Sequence, residues 1–176
     1  MFNRRETVRS LARGLAAIAL PALGGGAQRV WAKGEGAPLP AVGSALRLPT
    51  LTLLDGRLWT PREAEGKVLV VYWWASWCPF CAVQSPHIET LWRTQKARGL
   101  EVLALSIDKQ PAAAATYMKA KGYSFPAGML TPEAAKLLPK PAGLPVVVVR
   151  GRDGKVVFAE SGEMFPEDIE GLKKYL

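Results

Sequence analysis

Val68-Leu-Val-Val-Tyr-Trp-Trp-Ala-Ser-Trp-Cys-Pro-Phe-Cys81 is the stretch whose reading decides the fold. Residues 68–74 form an unbroken apolar run, which predicts a strand buried on both faces. From Cys78 to about Arg98 the pattern changes to one that predicts a helix. The chain's two cysteines therefore meet a strand-to-helix junction as Cys-x-x-Cys, a pattern that points to redox chemistry before anything else. On a first helical turn, residues i and i+3 share a face, close enough for two sulfurs to bond. Cys78 falls at the helix N-terminus, where unpaired backbone N–H groups and the helix dipole favour a thiolate. The thiolate is the species that attacks a disulfide, so Cys78 is the candidate nucleophile. Cys81, one turn deeper, is the candidate resolving thiol.

A structural zinc site wants four Cys or His ligands, and this chain has two Cys and one His. A purely structural disulfide here would close a loop with only two residues between the cysteines, which removes little chain entropy. Half of the formal net charge of +8 lies in residues 1–32, which carry five arginines against Glu6. The remainder shows no dense basic stripe with interleaved aromatics, so nucleic acid is not an expected partner.

Residues 1–32 read as a targeting segment. A cationic start, Met-Phe-Asn-Arg4-Arg5, precedes an Ala/Leu/Ile run from Gly14 to Leu23 and a small-residue end at Val30-Trp-Ala32. The apolar run is shorter than the roughly 20 residues of a comfortable transmembrane helix, and the order is that of a bacterial signal peptide. Arg4-Arg5 resembles a twin-arginine signal, although Thr7 stands where an aromatic or Leu is usual. An uncleaved N-terminal membrane anchor is the alternative. Residues 33–40 are Gly/Pro-rich and read as a linker, leaving 41–176 as one domain.

Within that domain Asp55-Gly56 joins two short apolar runs as a hairpin. Thr60-Pro61 opens a single helical turn capped by Thr60. Beyond the central strand and the cysteine helix, which Pro86 is expected to kink, Leu100–Ile107 reads as a second buried strand. Pro111–Lys121 reads as a helix ended by Gly122, and Thr131–Leu138 as a short capped helix. Pro145–Arg150 and Lys155–Glu160 form a second hairpin about Asp153-Gly154, and Pro166–Leu176 closes the chain as a helix. The βαβ crossover requires parallel strands and the last hairpin antiparallel ones. The expected fold is α/β, a mixed twisted sheet with helices on both faces and an N-terminal hairpin extension.

From about residue 40 to its end the chain resembles the thioredoxin superfamily, and within it the exported TlpA/ResA-like thiol-disulfide reductases. The motifs that carry the resemblance are Trp74-Ala-Ser-Trp77-Cys78-Pro-Phe-Cys81, then Pro86 with Ile88-Glu89 and Leu91, and Gly143-Leu144-Pro145 before the valine strand. Val42-Gly43, Asp55-Gly56 and Asp153-Gly154 match turns of the same family. The resemblance implies a periplasmic thiol-disulfide oxidoreductase that reduces protein disulfides by cycling Cys78 and Cys81. It implies no cofactor beyond that redox-active disulfide and no metal. Trp77, Pro79, Phe80, Leu144 and Pro145 would contact substrate, with Pro145 cis and Leu144 offering its backbone to an extended chain. Partners would be protein thiols and disulfides and a membrane or periplasmic electron donor, the chain acting as a monomer. Haem-binding or copper-site cysteines of other proteins, or misoxidised proteins at large, are the substrates the resemblance suggests.

One competing reading is a copper-handling module that binds through Cys78, Cys81 and His87. Others are a peroxidase, although the Thr-x-x-Cys motif of peroxiredoxins is absent, and a non-catalytic docking domain. The chain also departs from its relatives. Two positions where the family holds an acid near the resolving cysteine carry Tyr72 and Gln84 here. A phenol is a poor base at neutral pH and an amide is none, so these tuning positions are expected to lack a carboxylate. Glu63, Glu65 and Asp108 are the acids to consider in its place.

Overall fold

The computed structural model describes residues 36–176; residues 1–32, read above as a targeting segment, lie outside the described residues, as does the start of the segment read as a linker. Strand β1 (Leu51–Thr52) pairs antiparallel with β2 (Leu58–Trp59) about the Asp55-Gly56 turn. A 3-10 turn, Pro61–Ala64, follows. Its Thr60 stands at the N-cap but makes no side-chain bond there, contrary to the expected cap. Next come β3 (Val68–Trp74), α1 (Pro79–Gln95), β4 (Leu100–Ser106) and α2 (Pro111–Lys121). The chain ends with β5 (Ala127–Met129), α3 (Pro132–Ala135), β6 (Val146–Arg150), β7 (Val156–Ser161) and α4 (Pro166–Gly171).

The main sheet has the order β5-β4-β3-β6-β7. β3 is parallel to β4 and β4 to β5, whereas β6 is antiparallel to both β3 and β7. Every residue of β3 and β4 is buried, as the unbroken apolar run of β3 requires, and β4 buries Glu101 and Ser106 with its apolar residues. The crossovers β3-α1-β4 and β4-α2-β5 step along the sheet in the same direction. Right-handed connections then place both helices on one face. Val70, Tyr72 and Trp74 of β3 accordingly pack with Ile88 of α1, Met118 of α2 and Ile169 of α4. The alternate residues Leu69, Val71 and Trp73 pack on the other face with Leu53, Trp59, Ala64 and Leu138. That second face is covered by the hairpin and short helical turns, so the long helices all lie on the first.

Strand β5 is missing from the sequence reading. Ala127-Gly128-Met129 is too short and too poor in β-branched residues to signal a strand. It forms because β4 offers a free edge, and the N-terminal hairpin then docks on it through a Leu53–Gly128 bridge and a bond from Leu54 N–H to Ala127 C=O at 2.7 Å. A side chain at Gly128 would collide with Leu51 and lie 3.2 Å from Thr52 O. Gly128→Val should therefore destabilise the domain by about 1–3 kcal/mol, with the disulfide still forming. Urea unfolding checks this, and wild-type stability in the variant would refute the docking role given to Gly128.

Candidate active site

The carboxyl end of β3 is where the sheet changes from a parallel to an antiparallel neighbour, the kind of place where open α/β sheets leave a crevice. Residues 75–78 turn there from β3 into α1. Cys78 is the N-cap of α1, and its Sγ accepts the Cys81 N–H at 3.1 Å. Pro79 occupies the first helical turn, where its missing N–H costs nothing. Cys78 and Cys81 are joined by a disulfide, with Cα atoms 5.2 Å apart. A sulfur that already accepts a backbone N–H at a helix N-terminus is placed for stabilisation as a thiolate once the bond is reduced.

Cys78 lines an open cleft of about 970 Å³, and Cys81 does not. Cys78 is nonetheless only 4% exposed, so access runs through the cleft rather than over a free surface. Trp77 (64% exposed), Phe80 (54%) and Pro79 stand around it. Trp77 is thus a wall of the site alone, while Trp73 and Trp74 are buried core on opposite faces of the sheet. Ala142, Gly143 and Leu144 supply another part of the lining, and Lys140 is its one charged residue among those described. The Leu144–Pro145 peptide is cis. Pro145 itself is buried and does not line the cleft; its carbonyl accepts Gly162 N–H at 2.8 Å. Among the described residues neither backbone group of Leu144 has a backbone partner.

The approach to Cys78 is held by a side chain that the sequence offered only as one of three acids. Asp108, just beyond β4, is buried. Its Oδ2 accepts Ser76 N–H at 3.0 Å and Ser106 Oγ–H at 2.7 Å, and its Oδ1 accepts Ser76 Oγ–H at 2.6 Å. Glu65, by contrast, is exposed, and Glu63 belongs to the 3-10 turn on the second face. A hydrogen bond contributes about 0.5–1.5 kcal/mol, so the two that Ser76 donates to Asp108 hold the loop two residues before Cys78.

Behind Cys81 lie the two departures from the family pattern. The Tyr72 hydroxyl is 3.0 Å from Ser85 Oγ and reaches the Cys81 carbonyl at 3.5 Å. Burial pushes this phenol above its ordinary range, so it holds its proton. Gln84 is fully buried rather than on the helix surface; its Oε1 accepts Met164 N–H at 2.8 Å, tying α1 to the segment before α4. Its Nε2 has no partner among the described residues. A third buried polar residue, Glu89, accepts Ser124 N–H, Ser124 Oγ–H and Phe125 N–H at 2.6–3.1 Å and fastens α1 to the loop before β5.

The structure does not bring His87 to the cysteines. Six residues after Cys81 on α1, it is about 9 Å along the axis and well round the helix, half-buried in a groove with Pro166 and Ile169 of α4. Among the described residues no three His, Cys, Asp or Glu side chains converge on a metal-sized site.

The family profile described as Redoxin matches residues 35–176. Thiol-disulfide oxidoreductase ResA of Bacillus anthracis is 27% identical over 124 residues, which cover 70% of this chain and 72% of that protein. ResA of Bacillus subtilis is 26% identical over 102 residues, 58% of this chain and 57% of that protein. Among solved structures, a thiol:disulfide interchange protein of the thioredoxin family from Chlorobium tepidum superposes with a TM-score of 0.71 at 24% identity, covering 77% of this chain and 97% of that one. StoA from Bacillus subtilis gives 0.63 at 17% identity over 76% and 99%. These likenesses establish the thioredoxin fold.

With an amide and a protonated phenol behind Cys81, the pH–rate profile for disulfide exchange should show thiol ionisation and no coupled carboxylate. Gln84→Glu should add a carboxylate step above the ordinary Glu range, because burial disfavours the charged form. A folded-state pKa raised above the unfolded value of about 4.3 means that the variant loses stability relative to wild type as pH rises from that point. Stopped-flow profiles and urea titrations across pH read both effects. A carboxylate step already present in wild type would contradict the assignment.

Proposed function

The chain belongs to the Redoxin family and is a thiol-disulfide oxidoreductase, and on that premise we propose that it reduces protein disulfides in the periplasm through Cys78 and Cys81. The observation that carries the reading is the asymmetry of the pair. Cys78 caps the helix and opens to the cleft, whereas Cys81 is sealed behind it. In the reduced protein the Cys78 thiolate attacks one sulfur of a substrate disulfide, forming a mixed disulfide and expelling the other substrate sulfur as a thiolate. Cys81 then loses its proton and attacks Cys78 Sγ, which releases the second substrate thiolate and leaves Cys78–Cys81 oxidised. Two electrons pass to the substrate, whose thiolates take up protons according to pH. An external dithiol donor, in the membrane or the periplasm, restores the pair. The direction follows the relative potentials of the partners.

The lining of the cleft supports a polypeptide substrate. Trp77, Phe80 and Leu144 offer apolar surface, and the free backbone groups of Leu144 can pair with an extended chain as an added strand does. Export by residues 1–32 places the protein where disulfides form, and a monomer is sufficient for this cycle. No helix among the described residues is long and apolar enough to cross a membrane.

Cys81→Ser, expressed with its own N-terminal segment, should accumulate substrates disulfide-linked to Cys78, identified by mass spectrometry after non-reducing separation. Cys78→Ser should trap none, and equal trapping by both variants would sink the assignment of roles. Arg4-Arg5→Lys-Lys should block processing and periplasmic appearance if export takes the twin-arginine route, and fractionation reads the outcome.

A further inference from the structure

The segment read as a linker forms part of the site. Gly36 lines the same cleft as Cys78. Ala37 forms a parallel bridge with Pro141, and its N–H donates to the Lys140 carbonyl at 2.8 Å. Strand-like pairing thus extends the loop that carries Leu144 by one more chain. The contact is backbone against backbone. A Cβ at residue 36 would lie 2.6 Å from the Pro141 carbonyl carbon and the Ala142 Cα, closer than real Cβ atoms come. Only glycine lets the two chains approach this nearly.

We propose that the Gly36–Ala37 strap is a specificity-determining wall of the disulfide cleft, one that favours disulfides carried on a polypeptide over low-molecular-weight disulfides. The inference rests on the exchange reaction proposed above and adds the residues that select its polypeptide substrates. A small disulfide needs only to reach Cys78. A polypeptide that fills the cleft also meets the strap, which presents bare backbone at Gly36 in the cleft that Trp77 and Phe80 also line. That contact contributes binding only to substrates long enough to span it, so discrimination resides in the strap and reactivity in the cysteines.

The test uses the pre-reduced full chain with two variants that undock the strap by different means. Gly36→Val introduces the forbidden Cβ, and Ala37→Pro removes the donating N–H. Second-order rate constants are measured with a synthetic peptide containing one intramolecular disulfide and with bis(2-hydroxyethyl) disulfide. Thermal unfolding and the alkylation pKa of Cys78 are followed in parallel. Both variants should react with the peptide about fivefold more slowly, with the small disulfide unchanged within about twofold and the Cys78 pKa unmoved. A proportional fall with both substrates would overturn the proposal, because the strap would then only support the fold. Unchanged rates with both would overturn it as well. A wild-type protein that reduces neither substrate would instead defeat the exchange reaction itself, and the strap proposal with it.

Discussion

Cys78 closes a strand and opens a helix, and the rest of the structure depends on that junction staying in place. β3 is buried along its whole length between two apolar layers, so it cannot shift register without exposing one of them. Its carboxyl end therefore delivers residues 75–78 to one fixed spot. There the Cys78 sulfur takes up the Cys81 N–H, one of the donors that the start of a helix leaves unpaired. One contact thus does two things: it caps α1, and it surrounds the sulfur with the positive end of the helix. The surroundings of this sulfur are thus backbone geometry that the sheet enforces.

Polar side chains buried around the junction secure its other connections. Asp108 holds the turn before the cysteines, Glu89 fastens the middle of α1 to the loop before β5, and Gln84 ties α1 to the segment before α4. Each uses backbone N–H groups that have no ladder partner, and an unmet buried donor would cost about 1–3 kcal/mol. The carboxylates of Asp108 and Glu89 are thereby engaged in structure. The phenol against the Cys81 carbonyl and the amide three residues along the helix from Cys81 are both neutral groups.

The second face of the sheet shows how little is needed to cover it. A hairpin of two-residue strands, a 3-10 turn, Leu46 and Leu138 cover it, where the first face has three helices. The same N-terminal portion of the chain also reaches the cleft at Gly36, beside the docked Ala37. Residues upstream of the central strand are thus shared between completing the core and bounding the place where chemistry occurs.

Much of this was legible in the residues themselves. The apolar run 68–74, the Cys-x-x-Cys after it, Gly122 at a helix end and the Asp-Gly turns are local signals, because each arises from forces between near neighbours in the chain. They determined the order of the elements other than β5, the mixed sheet and the identity of the redox pair. Tertiary structure decided the remainder, for reasons of distance along the chain. β5 exists because β4 has an edge to fill, and its own three residues carry no strand signal. Gln84 is buried because Met164, eighty positions away, brings a backbone N–H to it. His87 was within reach of the cysteines on paper, yet the turn of α1 points it at α4. Asp108 stood in the sequence as one acid of three, and only the parallel pairing of β3 with β4 sets it against Ser76. Gly36 read as a linker residue, and its role follows from the close passage of a chain more than a hundred residues later. Short-range propensity is written in the sequence; which distant backbone group a side chain or glycine will meet is set by packing alone.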